Sequence, residues 1–305
     1  MPVIDAHHLR KTYGTTTAVD DVSLTLEEGQ IVAVLGPNGA GKTTTVELIA
    51  GLRQADAGAV RVLGLDPQAD PRAVREHLGM QLQAARLPGR ITVREAVELY
   101  ASFYADPADP TELLERLGLA AKARTAFKDL SGGQQQRLSI ALALVGKPKV
   151  AILDELTTGL DPHARREVWQ LIESVRDSGV SILLVTHFMD EAERLADEVV
   201  IIDDGRVVAA GTPAGLTARA GGQYAFQMRF AEELPADLAG ALRELPEVTS
   251  LATADHTWTV TGLPAALPAV IGRLGHAERI PTDIHTLNRS LEDVFVQLTD
   301  EVHAS

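Results

Sequence analysis

The chain of 305 residues has no cysteine and no long apolar run. The absence of cysteine excludes disulfide bridges and thiolate metal sites, and it fits a reducing compartment. No segment approaches the roughly 20 consecutive apolar residues that a membrane-spanning helix requires. The start, Met1 to Asp5, has neither a basic region nor an apolar core, so it predicts no secretory signal. Any association with a membrane is therefore expected to depend on a partner.

Basic residues are also scarce. The sequence has 28 Lys and Arg against 42 Asp and Glu, which gives a formal net charge of -14. Binding to a nucleic-acid backbone requires a basic stripe, so nucleic acid is not an expected partner. Most of the carboxylates are interpreted as a solvated acidic surface that keeps the protein soluble.

One stretch carries the pattern of a phosphate-binding loop. An apolar, β-branched run at 31–35 predicts a buried strand, and residues 44–50 predict a helix. Between them the glycines, lysine and threonine have the P-loop spacing. Glycine allows backbone N–H groups to approach phosphate oxygens, the helix start adds its dipole, Lys42 adds a charge and Thr43 a hydroxyl for Mg²⁺. The predicted nucleotide-binding residues are Gly36, Pro37, Asn38, Gly39, Ala40, Gly41, Lys42, Thr43 and Thr44.

Two further strands are predicted to end in residues that can act on a phosphate. The apolar run 150–153 ends at Asp154 and Glu155, and another strand ends at Thr186 and His187. Ligands of a parallel sheet lie at the carboxyl ends of its strands, so Asp154 is expected to meet Mg²⁺ and Glu155 to face the terminal phosphate and polarise water. His187 could contact the γ-phosphate and orient that water. A single histidine at a strand end can also be ordinary polar surface.

A second helix start could also bind an anion. Ser131 can cap the helix that follows, and Gly132, Gly133 and Gln134 leave backbone N–H groups accessible. One nucleotide needs only one cradle, so this element is predicted to close over a nucleotide held by another copy or a paralogue. The alternative is an N-capped helix with no ligand.

Three other residues have roles that the residue pattern alone leaves open. Gln83 could reach both metal and water, although Gln81 is nearly as good a candidate. Tyr13 could stack on an adenine or simply pack in a hairpin. Asp161, before Pro162, is explained well enough as the N-cap of a helix.

The order of elements predicts two domains. Apolar strands alternating with helices indicate a mostly parallel sheet that is covered on both faces, with a helical insertion at 91–127. A linker is expected at 220–222. Beyond it, a βαββαβ order with a closing helix, its last strand at 279–284, indicates a small α+β domain of ferredoxin-like type. The predicted domains are 1–218 and 223–305.

These motifs together resemble the ATP-binding cassette (ABC) ATPases over residues 3–218, and the signature at 130–134 makes the resemblance more specific than a P-loop alone. The resemblance implies a P-loop NTPase fold of the ABC type, with antiparallel β and helical subdomains. The resemblance also implies that Tyr13 stacks on the adenine, that Gln83 contacts metal and water, and that Glu155 is the general base. It further implies that Asp161 links the two sites and that His187 is the γ-phosphate switch.

The C-terminal stretch 288–295 is similar to the tail of daunorubicin-type multidrug exporter ATPases, in which the tail domain is thought to support dimerisation or regulation. One departure from the family is Leu156, because these proteins usually have proline after the catalytic glutamate.

The sequence therefore predicts an ATPase subunit that binds ATP and Mg²⁺ and pairs head to tail, most simply as a homodimer. The resemblance implies separate membrane permease subunits, a position on the cytoplasmic side of the membrane, and export of a drug or another hydrophobic compound. Two alternatives remain. A soluble ABC protein acting on DNA or the ribosome fits poorly with one cassette, no heptad insertion and an acidic balance; a P-loop kinase leaves the element at 131–134 unexplained.

Overall fold

A computed structural model describes residues 1–81, 87–219, 224–232, 235–254, 256–263, 265–277, 279–287 and 290–296. The chain divides into two compact units, Met1–Pro213 and Ala214–Ser305. The sequence places the boundary slightly later, with the linker at 220–222, and that linker lies outside the described residues. No described helix is long and apolar enough to cross a bilayer.

The first unit alternates strands and helices along most of its length. Its strands are β1 (Ile4–Tyr13), β2 (Thr16–Leu26), β3 (Ile31–Leu35), β4 (Ala57–Val62), β5 (Leu78–Gln81), β6 (Val150–Asp154), β7 (Ser181–Thr186), β8 (Glu198–Asp203) and β9 (Arg206–Gly211). Its helices are α1 (Lys42–Ile49), α2 (Pro71–Arg75), α3 (Val93–Ala101), α4 (Pro110–Arg116), α5 (Gly132–Leu144), α6 (Pro162–Asp177) and α7 (Met189–Leu195).

The main sheet has the strand order β5-β6-β7-β3-β8-β9. All its neighbouring strands pair in parallel except β8 and β9, which form a hairpin. β3, β6 and β7 are buried at every position because both faces of the sheet are covered. The predicted parallel sheet is confirmed.

Two hydrophobic cores lie on opposite faces of this sheet. Successive residues of β6 alternate between them, since Val150 and Ile152 belong to one core and Ala151 and Leu153 to the other. The first core also contains α1 and the antiparallel sheet β2-β1-β4. The second core contains α3 to α6 and the end of α7.

The segment 91–127 is helical in part, as expected, and contains α3, α4 and short 3₁₀ turns. A capping box starts α3, because Thr92 Oγ1 accepts a hydrogen bond from Glu95 N at 3.3 Å and Thr92 N donates to Glu95 Oε2 at 2.8 Å. The apolar stripe of α3 packs into the core that also holds α5.

The second unit contains a four-stranded antiparallel sheet in the order β11-β12-β10-β13. Its elements are α8 (Pro213–Arg219), which begins at the last residue of the first unit, then β10 (Tyr224–Arg229), α9 (Ala236–Arg243), β11 (Val248–Ala254), β12 (Thr257–Gly262), α10 (Ala266–His276) and β13 (Asp283–Leu287). Residues 291–296 are helical. From β10 onward the order is the predicted βαββαβ with a closing helix.

One predicted strand of this unit was misplaced. The sequence indicated a strand at 279–284, whereas β13 spans Asp283–Leu287. Pro281 lies inside the predicted span, and proline cannot donate a hydrogen bond to a sheet. The strand therefore begins after it, and it pairs with β10 from Asp283 to Leu287.

Candidate functional site

The ends of three neighbouring strands bring the predicted phosphate-binding and catalytic segments together. Leu35 at the end of β3 pairs with Thr186 at the end of β7, and Asp154 at the end of β6 pairs with Val185. The P-loop, Glu155 and His187 each follow these strand ends directly. They therefore meet at one edge of the sheet, where open α/β sheets bind their ligands.

The P-loop packs so closely that two of its glycines admit no side chain. A Cβ on Gly36 would lie 2.2 Å from Ile202 O, and a Cβ on Gly41 would lie 2.2 Å from Ala18 O. Gly41 also has φ +97° and caps α1 without a side-chain hydrogen bond. The first N–H groups of α1 are thus not occupied by a side-chain cap, which is the arrangement that binds phosphate in other proteins.

Lys42 lies under this loop. Its side-chain Nζ donates to Gly36 O at 2.8 Å and to Pro37 O at 2.9 Å, and the residue is 5% exposed. Burial lowers the pKa of Lys42, and the nearby carboxylates of Glu155 and Asp154 oppose that shift. The lysine and both acidic residues therefore share one electrostatic environment.

Glu155 and His187 are in contact. Nδ1 of His187 lies 3.3 Å from Oε1 of Glu155, and the side chains are 34% and 10% exposed, respectively. The backbone of Glu155 has φ +49°, which is uncommon for a residue other than glycine, and its N–H donates to Val185 O at 2.8 Å. The next residue, Leu156, is fully buried in the core. The leucine that replaces the family's usual proline therefore packs as a core side chain.

The oxygen donors expected to hold a metal lie at the same sheet edge or on the P-loop. Asp154 is 2% exposed, and its backbone N–H donates to Gln81 Oε1 at 3.2 Å. Thr43 is an exposed residue of α1. Gln81 thus supports the strand end that carries Asp154, and the other candidate, Gln83, lies outside the described residues. No cluster of three metal-binding side chains occurs among the residues that the structure describes.

The signature element begins α5 with a capping box. Ser131 Oγ accepts from Gln134 N at 3.3 Å, and Ser131 N donates to Gln134 Oε1 at 3.1 Å. A Cβ on Gly132 would touch Leu160 and one on Gly133 would touch Ala164, each at 3.3 Å. Ser131 and Gly132 are exposed, so the start of α5 lies open at the surface of this chain.

The P-loop and the signature element belong to helices on opposite faces of the main sheet. Val46, Leu48 and Ile49 of α1 pack into the core with the antiparallel sheet, whereas Leu138 and Ile140 of α5 pack into the other core.

Asp161 caps α6, as its position before Pro162 predicted. Its carboxylate accepts hydrogen bonds from His163 N at 2.9 Å and Ala164 N at 3.0 Å. The bonds from Ala164 and His163 lower the pKa of Asp161. The residue therefore has a structural role within the single chain, whatever it contributes to a second site.

Tyr13 ends β1 in the antiparallel sheet, and it is 40% exposed. The Arg53 Cζ atom lies 5.5 Å and the Lys11 Nζ atom 5.8 Å from the centre of its ring. The ring is therefore accessible, with two cations near it.

One polar residue near the site was missed by the sequence reasoning. Glu191 on α7 is fully buried, and Trp169 Nε1 donates to its Oε1 atom at 3.0 Å. The signal was present, since Glu191 shares the buried side of α7 with Ala192 and Leu195. An acidic residue on an apolar stripe is the kind of exception that marks a specific role.

A P-loop at the end of a parallel strand, with a lysine, a carboxylate pair and a histidine around it, defines a nucleotide-hydrolysing protein of the P-loop class.

Comparison with known proteins identifies the family. A profile described as "ABC transporter" matches residues 19–158. Nod factor export ATP-binding protein I of Ralstonia nicotianae is 36% identical over 98% of this chain and 94% of its own length. Daunorubicin resistance ATP-binding protein DrrA3 of Streptomyces coeruleorubidus is 37% identical over 95% of this chain and 94% of its own length.

Solved structures agree. An ATP-binding subunit of an ABC transporter superposes with a TM-score of 0.65 at 29% identity, over 72% of this chain and 93% of that one. A dimeric ATP-binding cassette in a post-hydrolysis state, bound to ADP and Pi, superposes with a TM-score of 0.61 at 28% identity. The match covers 68% of this chain and 98% of that one. The chain belongs to the ABC transporter ATP-binding proteins. It is an ATP-binding, ATP-hydrolysing subunit of an ABC transporter, as the sequence predicted.

Proposed function

We propose that this chain powers export of a drug-like or other hydrophobic compound through separate permease subunits, as a peripheral protein on the cytoplasmic side of the membrane. The observation that carries this proposal is the extent of the similarity: two export ATP-binding proteins match over 95% or more of this chain. The similarity therefore includes most of the second unit as well as the cassette. The proposal assigns the transport path to the permease subunits.

The segment 91–127 is the proposed contact with the permease. Phe103 is 70% exposed and Leu99 47% exposed, and Phe103 stacks edge-on against Tyr100 at 5.9 Å. A separate groove of about 530 Å³ in the same unit is lined by Phe127, at the end of this segment, and by Gln81, Leu87, Gly89, Lys128 and Gln135 among others. Exposed aromatic and aliphatic side chains that are grouped on one segment are typical of a protein interaction site.

The reaction site is proposed to form between two copies of the chain, head to tail. The P-loop and the signature element lie on helices that pack against opposite faces of the sheet, and Ser131 is exposed. A second copy can place its Ser131, Gly132, Gly133 and Gln134 over the nucleotide that the first copy holds. A solved cassette with 28% identity to this chain is dimeric, which supports the pairing of two copies.

Within each site the P-loop N–H groups and Lys42 bind the phosphates, and Tyr13 stacks on the adenine. Glu155 acts as the general base that orients and deprotonates water, and His187, 3.3 Å away, holds that carboxylate and contacts the γ-phosphate. Gln83 is assigned to metal and water, and Asp161 to the link between the two sites. Donors placed around the γ-phosphate before the reaction supply most of the rate, and no covalent intermediate forms.

Mg²⁺ fits the residues present. Thr43 and Asp154 offer a hydroxyl and a carboxylate, which are hard oxygen donors. The described residues hold no cluster of three metal-binding side chains, and Mg²⁺ is commonly held by one or two carboxylates together with substrate phosphates. When bound with ATP, the ion would neutralise charge on the phosphate oxygens.

The test of the transport role is fractionation of the tagged chain from cells. We expect it in the membrane fraction, released by alkaline washing and retained in detergent with an integral membrane protein that raises its ATPase activity. Inside-out vesicles from the same cells should then accumulate the compound in the presence of ATP, and vesicles with Glu155→Gln should not. Recovery with ribosomes or DNA and not with membranes would contradict the proposal.

A further inference from the structure

Glu191 is a buried acidic residue close to the reaction site that none of the roles above uses. It lies on α7, four residues after His187, and it is fully buried. A leucine at such a position would avoid the cost of desolvating a carboxyl group, and apolar replacements of buried charges are often neutral or stabilising. Stability of the fold therefore does not explain why this residue is acidic.

The partners of Glu191 come from segments that surround the catalytic residues. Trp169 Nε1 on α6 donates to Glu191 Oε1 at 3.0 Å. The hydroxyls of Thr186 and Thr157 and the guanidinium of Arg165 are its other polar neighbours. Burial raises the pKa of Glu191, and these neighbours oppose that shift. The carboxyl group thus accepts a hydrogen bond from α6 and faces hydroxyls at the end of β7 and in the turn after β6.

Two of these neighbours adjoin the catalytic pair directly. Thr186 immediately precedes His187, and Thr157 follows Glu155 by two residues. Thr186 Oγ1 also accepts a hydrogen bond from Phe188 N at 3.0 Å, which fixes the turn that carries His187. The carboxyl group of Glu191 therefore lies next to both segments that carry the catalytic side chains.

Arg165 adds a second tie between α6 and this turn. Its guanidinium lies 4.3 Å from the ring of Phe188, and its Nη1 atom donates to Asp190 Oδ2 at 3.1 Å. Glu191 Oε2 and Thr157 Oγ1 are buried, and neither completes a hydrogen bond of normal geometry within the described part of the chain.

We propose that Glu191 is a positioning residue, which holds the turn bearing His187 against the segment that follows Glu155 and so sets the contact between those two side chains. The inference rests on the catalytic roles proposed above for Glu155 and His187. It assigns Glu191 no contact with ATP. The carboxyl group acts as a hydrogen-bonding connector, a task that the amide of glutamine can also perform.

The experiment compares Glu191→Leu, Glu191→Gln and the control Glu198→Gln in the full chain, with ATPase rates measured over a range of ATP concentrations. Glu198 is an exposed glutamate at the start of β8. Misplacing a catalytic group by about 1 Å can cost on the order of 100-fold in rate. We expect kcat to fall about 10- to 100-fold in Glu191→Leu with KM changed less than about threefold, and Glu191→Gln to restore most of the rate.

A double-mutant cycle tests whether Glu191 acts through His187. In a His187→Ala background, Glu191→Leu should cause a much smaller further loss than it does in the native background. The inference would be overturned if Glu191→Leu lowered kcat by the same factor in both backgrounds. An unchanged kcat in Glu191→Leu would also overturn it. If Glu191→Leu does not fold, Trp169→Phe removes one donor while keeping an aromatic side chain, although a smaller one, and it must lower kcat without raising KM.

Glu155→Gln separates this inference from the proposed site. Loss of turnover in Glu155→Gln together with wild-type kcat in Glu191→Leu would overturn the role of Glu191 alone. Wild-type turnover in both variants would overturn the proposed catalytic assignments as well.

Discussion

Gly41→Ala is expected to destabilise the protein much more than Gly39→Ala, although both glycines lie in the P-loop with positive φ. Gly39 has φ +89° and no atom lies within 4 Å of the point that a Cβ would occupy, whereas a Cβ at Gly41 would lie 2.2 Å from Ala18 O. The left-handed conformation alone costs an L-residue about 1–2 kcal/mol. Gly39→Ala therefore measures the conformational cost, and Gly41→Ala adds a steric clash to it.

The added clash involves backbone atoms, so no side chain can turn away to relieve it. The Cβ of Gly41→Ala would also lie 3.5 Å from Gly205 Cα. The P-loop is therefore enclosed between β2 and the β8–β9 hairpin at this point. Forcing extra atoms into a packed site typically costs about 1–3 kcal/mol. Gly41→Ala should therefore lose about 2–5 kcal/mol in total, against about 1–2 for Gly39→Ala.

Thermal unfolding without nucleotide measures this difference. One kcal/mol corresponds to roughly 2–4 °C for a unit of this size, so Gly39→Ala should lower Tm by roughly 2–8 °C. Gly41→Ala should unfold clearly below it. Equal Tm values, or a more stable Gly41→Ala, would refute the packing described for the P-loop.

Three further predictions concern charge. Lys42→Met should weaken ATP binding by about 10- to 100-fold, measured by calorimetry, because a hydrogen bond to a charged group contributes about 1.5–3 kcal/mol. Asp154→Asn should raise the Mg²⁺ concentration needed for half-maximal ATPase activity, because it removes a carboxylate donor. Glu191→Gln should gain stability relative to the wild type as the pH rises above 4.5, in denaturant titrations. A carboxyl whose pKa is raised on folding stabilises the fold below its ordinary pKa and loses that contribution as the pH rises through the folded value.

Each of these predictions can fail in a distinct way. Wild-type affinity for ATP in Lys42→Met would remove the lysine from the phosphate site. An unchanged Mg²⁺ requirement in Asp154→Asn would remove that carboxylate from the metal site. A constant stability difference between Glu191→Gln and the wild type across the pH range would contradict the burial of the carboxyl group opposite Arg165.

The P-loop and the N-terminal cap of α5 could both be predicted from local sequence. The glycine spacing around Lys42 and the pair Ser131 and Gln134 are short-range patterns whose chemistry follows from the neighbouring residues alone. The parallel sheet was predictable for the same reason, since its strands are continuous apolar runs. Pro281 shows how a single residue moves a strand that the apolar pattern placed earlier.

The placement of the helices relative to the sheet could not be predicted from the sequence. That α1 and α5 pack against opposite faces of the sheet depends on which face of each strand they cover, and the motifs do not specify this. The positive φ of Glu155 and the burial of Glu191 also arise from tertiary packing. These are the features on which the two-chain site and the positioning role of Glu191 depend.

The central claim is that each reaction site needs two copies of the chain, and sedimentation of Glu155→Gln with ATP and Mg²⁺ tests it most directly. With hydrolysis blocked, the variant should sediment as a dimer in ATP and as a monomer in ADP, and Ser131→Arg added to it should abolish the dimer. A Glu155→Gln chain that binds ATP to saturation and remains a monomer would contradict the account.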